Sequence, residues 1–173
     1  MILKPQDLLV ALKLVAMKGQ SWSYAWLAVQ LDMSPSQLHS AVKRALEAQL
    51  LVEIDDAIVP NTRNLMEFLE HGVRYVFLLK RGELTRGMPT AWAAEPLVSQ
   101  IVAPDEPPPV WPTADGTVRG MAFSPLYPQA PGAAAKDPGF YELLALVDAI
   151  RGGRARERSM AIKELRIRLE QSH

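Results

Sequence analysis

Residues 27–51 read LAVQLDMSPSQLHSAVKRALEAQLL, and this run decides how the first half of the chain folds. Ser34 is placed to cap a helix, and Pro35 at the first helical position has a suitable fixed φ and needs no N–H partner. Gln37 stands three residues after Ser34, which completes the Ser-x-x-Gln form of the capping box. Leu38, Ala41, Val42, Ala45 and Leu46 then recur at helical spacing as one apolar stripe. Ser36, Gln37, His39, Ser40, Lys43 and Arg44 fall on the opposite face or its flanks.

Upstream, Leu27, Ala28 and Leu31 form the apolar face of a shorter helix that Ser23 can cap, with Trp22 placed to staple onto Leu27. The two helices meet at Leu31-Asp32-Met33, where Asp32 tolerates the left-handed backbone better than most residues. Downstream, LLVEIDDAIVP predicts a β-hairpin, with Leu51 to Ile54 and Ala57 to Pro60 as strands around Asp55-Asp56. Before all of these, Pro5 to Lys18 reads as a first helix with Gly19 as its left-handed exit. Leu8, Leu9, Leu12, Val15 and Ala16 form one apolar face, and Val10, Leu14 and Met17 a second. A helix apolar most of the way round is covered on both sides, by the chain's own C-terminal part or by a second copy.

The pattern Leu-Ala-x-x-Leu-x-Met-Ser, an amphipathic helix and a Leu-Leu exit resembles the winged helix-turn-helix family of bacterial transcription regulators (MarR- and GntR-like). The resemblance covers about residues 5–60. It implies a mainly α domain with a small β-hairpin wing, spanning residues 1–82. It further implies a cytoplasmic homodimer that binds double-stranded DNA sequence-specifically and regulates transcription. The second helix would enter the major groove, which makes Ser34, Ser36, Gln37, His39, Ser40, Lys43 and Arg44 the candidate DNA-binding residues. Gln37 could pair bidentately with adenine, and Lys43 or Arg44 could reach guanine or phosphate. Two positions depart from the family pattern. Asp32 replaces the usual turn glycine, and Asp55-Asp56 put acids at the wing tip, where they repel phosphate.

Asn61 or Thr62 caps a further helix that Gly72 closes, and VRYVFLL then predicts a strand with Val73, Tyr75 and Phe77 on one face. The run KRGELTRGMPTAWAA follows as a basic loop, with Gly82 and Gly87 at turns. Lys80, Arg81 and Arg86 there are candidate phosphate contacts, or the residues of a solvated turn. Nine of the fourteen prolines lie between Ile101 and Pro138. Such spacing predicts an irregular, extended proline-rich arm over 83–137 without helix or central strand. Trp111, Met121, Phe123, Leu126 and Tyr127 would pin it to the domain. A C-terminal segment, 138–173, holds two helices broken at Gly152-Gly153. Residues 151–168 carry seven Lys and Arg against two Glu, either as a solvated helix face or as a strip facing phosphate or an acidic partner.

Formal net charge is zero and there is no cysteine, so neither a polyanion partner nor thiolate chemistry is advertised by composition. The three histidines have no metal-ligand spacing, and no nucleophile, phosphate-loop or dinucleotide motif occurs. No catalytic residue, metal or cofactor is expected. Lys13 interrupts the apolar N-terminal run, which excludes a signal-peptide reading and leaves no membrane span. Trp22, Tyr24 and Trp26 are read as packing, not base stacking. The alternative function is a protein-interaction module on the same scaffold, antitoxin-like or adaptor, meeting its partner through the C-terminal arm.

Overall fold

The computed structural model describes residues 2–172. About half of the chain is helical, so the mainly α expectation stands. The first three helices are α1 (Pro5–Met17), α2 (Tyr24–Leu31) and α3 (Pro35–Glu47). Lys18 and Gly19 both take left-handed backbone after α1, at φ 52° and 79°. Ser23 accepts from the Trp26 N–H at the start of α2, and Asp32 ends it at φ 52°. The predicted capping box opens α3: Ser34 Oγ accepts from Gln37 N at 3.1 Å and Gln37 Oε1 from Ser34 N at 2.9 Å.

Strands β1 (Leu51–Ile54) and β2 (Ala57–Pro60) pair antiparallel, from Leu51 opposite Pro60 to Ile54 opposite Ala57. Asp55 and Asp56 take φ of 51° and 64°. Two consecutive positive φ values are the type I′ geometry, whose twist suits a two-residue hairpin, and Asp tolerates them better than most residues.

What covers α1 is the chain itself. Leu8 to Leu12 are fully buried, between α3 on one side and α7 (Pro138–Gly152) on the other. No second copy is needed to bury this helix. The C-terminal segment is therefore a central layer of the fold. In α7, Phe140 and Leu143 to Ile150 are buried, against α1, the final helix α8 (Ala155–Glu170), and the short helices α5 (Val73–Val76) and α6 (Ala130–Ala135).

Three expectations need correction. After α4 (Thr62–His71), the run VRYVFLL begins with the helical turn of α5 instead of a strand. Val73 and Phe77 are buried but Tyr75 is exposed, so the alternating face does not exist. A short apolar run bounded by Gly is ambiguous between strand and buried helix, and here tertiary packing decides. Second, the basic loop is strand β3 (Arg81–Pro89), so a domain boundary at 82/83 falls inside an element.

Third, the proline-rich arm contains β4 (Pro109–Pro112), β5 (Val118–Phe123) and α6. The prolines in these elements sit where proline is tolerated: Pro89, Pro109 and Pro112 at strand ends and Pro131 in the first turn of α6, as Pro138 just beyond the arm is in that of α7. β3 pairs antiparallel with β4 and β5, and β4 pairs parallel with β5, so the small sheet closes on itself. Three strands leave almost no interior, and glycines supply the clearance. A Cβ on Gly87 would overlap the Trp111 carbonyl, and one on Gly120 the Pro108 carbonyl. Trp111, Phe123 and Leu126 are buried as anchors, with Met121 and Tyr127 half-buried.

A buried polar cluster ties this sheet to α7. Asp148 Oδ2 accepts from Thr90 Oγ1 at 2.8 Å and from the Trp111 indole N–H at 2.6 Å. Its other oxygen accepts from Arg151 at 2.9 Å, and the same guanidinium donates to the Phe77 and Leu78 carbonyls. Burial pushes the Asp148 carboxyl up, against the Arg151 charge and these hydrogen bonds.

At the other end of α7, Asp137 caps the Phe140 N–H and accepts from Lys13 Nζ at 2.7 Å. Burial raises the Asp137 carboxyl, but the Lys13 hydrogen bond, the helix N–H groups and the Lys13 charge outweigh it, so the net direction is downward. A carboxylate depressed on folding stabilises above its unfolded value, and that contribution is lost as pH falls through the folded value. The thermal midpoint is therefore expected to fall below about pH 4 more steeply in the native chain than in Asp137→Asn. Equal slopes in a pH series of melts would refute this assignment.

Candidate nucleic-acid interface

The apolar stripe of α3 is fully used. Leu38, Ala41, Val42 and Ala45 are buried, and α3 packs on α1, α2 and β1. This leaves Ser34, Ser36, Gln37, His39, Ser40 and Lys43 exposed on one open face. The face is polar with little charge: Lys43 and Glu47 are its formally charged exposed residues. Gln37 keeps its amide oxygen on the Ser34 N–H, so its NH₂ group is what remains to project outward. A bidentate adenine contact would therefore have to share that oxygen, through its second lone pair, with the cap. His39 stacks face to face on Tyr24, ring centroids 3.9 Å apart and planes within 7°. Trp22 meets Tyr24 edge-on at 5.1 Å, so these two rings pack within the protein as expected, whereas Trp26, also read as packing, is 42% exposed.

Arg44 does not belong to this face. Its guanidinium is bound to Asp7, with Nη2 to Oδ1 at 2.9 Å and Nε to Oδ2 at 3.0 Å. Asp7 is fully buried and also accepts from the Lys4 N–H at 2.8 Å. Gln6 extends the cluster to the Tyr127 hydroxyl at 3.0 Å. Arg44 is thus a strut between α3 and α1, and the prediction that it reaches guanine or phosphate fails on its geometry. The available signal was Asp7 itself, an acid in a helix that is apolar nearly all round, which requires a cationic partner. Removing that partner strands a buried charge, so Arg44→Ala is expected to cost about 3–5 kcal/mol in denaturant unfolding. A loss under about 1 kcal/mol would show the strut to be dispensable.

The predicted phosphate contacts lie in another layer. β3 packs on β4 and β5, whereas α3 packs on α1, α2 and β1. Arg81 lies over the Phe123 ring, 5.4 Å from its centroid, and donates to the Gly152 carbonyl. Lys80 and Arg86 are exposed. Arg86 stands directly across from Arg119 in the β3–β5 register, a partner that reading the arm as irregular concealed.

The arginine-rich end is largely consumed by internal pairing. Arg151 meets Asp148, Arg154 meets Glu106, Arg166 meets Glu70, and Arg168 meets Glu142 and Glu164. Arg158 donates to the Gly153 carbonyl. α8 packs on α7 and α4, and of the two readings of this segment the geometry favours a solvated helix face with its own ion pairs. The first 72 residues hold six Lys and Arg against eight Asp and Glu, with Glu53, Asp55 and Asp56 exposed on the hairpin. Among the described residues no helix is long and apolar enough to cross a membrane.

Comparison of this chain with known protein families, with curated proteins and with solved structures finds no match.

Proposed function

We propose that the chain binds double-stranded DNA sequence-specifically through the exposed face of α3 and acts as a transcription regulator. The observation that carries this reading is the openness of that face. Ser36, Gln37, His39, Ser40 and Lys43 are all exposed on a helix whose opposite side is fully packed and braced by Arg44. Small hydroxyls, one amide donor and one cation are the groups that read base edges and grip adjacent phosphates. In the first turn Pro35 has no N–H and the Gln37 N–H is held by Ser34 Oγ, which leaves the Ser36 N–H to favour a phosphate as well.

α1, the helix that a homodimer could have used, is covered in cis, so the contacts expected of α3 are those of one protomer. Few cations face outward near α3, so binding should depend weakly on salt. A slope of about −2 to −3 in log K against log salt is expected, as for two or three phosphate contacts. A slope near −8 would mean that a much larger basic surface is in use, contrary to the assignment. The direct test is selection from a random duplex library by the full chain, followed by gel shift with Lys43→Glu plus Ser40→Glu. One enriched sequence whose shift the double variant abolishes supports the proposal; no enrichment, or an unchanged shift, defeats it.

A second reading has its own observation. Four of the six arginines between 151 and 168 are held in ion pairs and the hairpin tip is acidic, which suits a protein-interaction module better than a polyanion binder. It requires a partner that engages the second half of the chain without DNA.

A further inference from the structure

The outer face of the closed sheet carries an arrangement that the fold does not account for. Residues directly opposite on antiparallel strands share a face. Arg86 lies opposite Arg119, Leu84 opposite Met121, and Arg81 opposite Phe123, so one strip runs from two arginines through two apolar side chains to a cation over a ring. Like charges placed directly opposite are destabilising. Neither Arg86 nor Arg119 makes an ion pair among the described residues. This contrasts with Arg151, Arg154, Arg166 and Arg168, which all have acids.

Beside the arginine pair, Leu84 is 51% exposed. The other end of the strip opens into a pocket of about 390 Å³, lined by Met121, Phe123, Arg81 and Trp92. Its acids, Glu106 and Glu157, share Arg154 at 2.7 and 3.9 Å, and Arg81 brings the lining to formal neutrality, so the Arg86–Arg119 charge is left over.

We propose that this strip docks an acidic segment of a partner protein, with a carboxylate between Arg86 and Arg119 and a bulky apolar side chain in the pocket. Charge complementarity selects the acid, since two guanidinium groups at cross-strand spacing match one carboxylate fork each or share one. The apolar half selects a protein over nucleic acid, because a phosphate backbone would leave Leu84 and the Trp92 pocket wet. Over Arg81–Arg86 β3 pairs with β5 alone, and the groups that select the partner are the side chains of the shared face, so recognition is assigned to side chains. The inference deepens the protein-partner reading and is independent of the α3 face.

The test uses the full chain and a short fluorescein-labelled peptide of Asp and Glu around a central Leu-Phe pair. Anisotropy should show saturable binding, weakened about tenfold or more by Arg86→Glu plus Arg119→Glu, the loss expected for a central arginine contact. A peptide with Lys in place of its acids should then bind that reversed variant, which also shows that the variant is folded. Lys43→Glu should change nothing, separating this surface from the DNA proposal. The inference is overturned if the peptide does not bind or binds the reversed variant equally. It also fails if an all-acid peptide lacking Leu-Phe binds as well, or if duplex DNA competes at the same arginines.

Discussion

Asp148→Ala is expected to lower stability by about 3–5 kcal/mol, the loss typical when one partner of a buried ion pair is removed. The substitution strips acceptors from Thr90, from the Trp111 indole and from Arg151 together. The Arg151 side chain is 3% exposed and would stay charged without its acid. The Phe77 and Leu78 carbonyls solvate part of that charge but do not neutralise it. Asp148→Asn separates the contributions: it keeps one acceptor for Trp111 or Thr90 and still leaves Arg151 uncompensated. Urea unfolding should therefore place Asn between native and Ala. A loss below about 1 kcal/mol for Ala would mean that water or repacking replaces the cluster, and the sheet is not tied to α7 as described.

The second large effect concerns clearance. Gly87→Ala and Gly120→Ala each place a methyl group on a backbone carbonyl, that of Trp111 or Pro108. Backbone cannot swing aside as a long side chain can, so the strands must separate. About 3 kcal/mol or more is expected, at or above the upper part of the overpacking range. Gly132→Ala is the matched control. It lies inside α6 with nothing within 4 Å of the added Cβ, and should stabilise by about 0.5–1 kcal/mol through helix propensity. If Gly87→Ala melts like the native chain, the three strands do not close as tightly as the register requires.

These two sites show which parts of the fold were legible. Ser34 with Gln37, Ser23, Asn61 and the Asp55-Asp56 turn act through neighbours within a few residues, so the sequence displays them, and the hairpin bounds agree residue for residue. Asp148 looks like an ordinary helical acid until Thr90 and Trp111 arrive from 58 and 37 residues away. Prolines between 101 and 138 argued against regular structure, yet most of those in elements fall at ends and first turns, where the rule against proline does not apply. Arg44 misled for the same reason in reverse. On α3 it flanks the polar face, and only the packing of α1 brings Asp7 beneath it. The candidate face was thus legible as a row of side chains, but which of them are free was decided by long-range partners.

The central claim is that DNA meets the chain on α3. It is tested most directly by titrating ¹⁵N-labelled full chain with the duplex enriched in the selection and following backbone amide shifts. The account predicts perturbations concentrated from Ser34 to Lys43 and in the neighbouring first turn of α2. Changes centred on the β3–β5 sheet or on α8, with α3 silent, would contradict it.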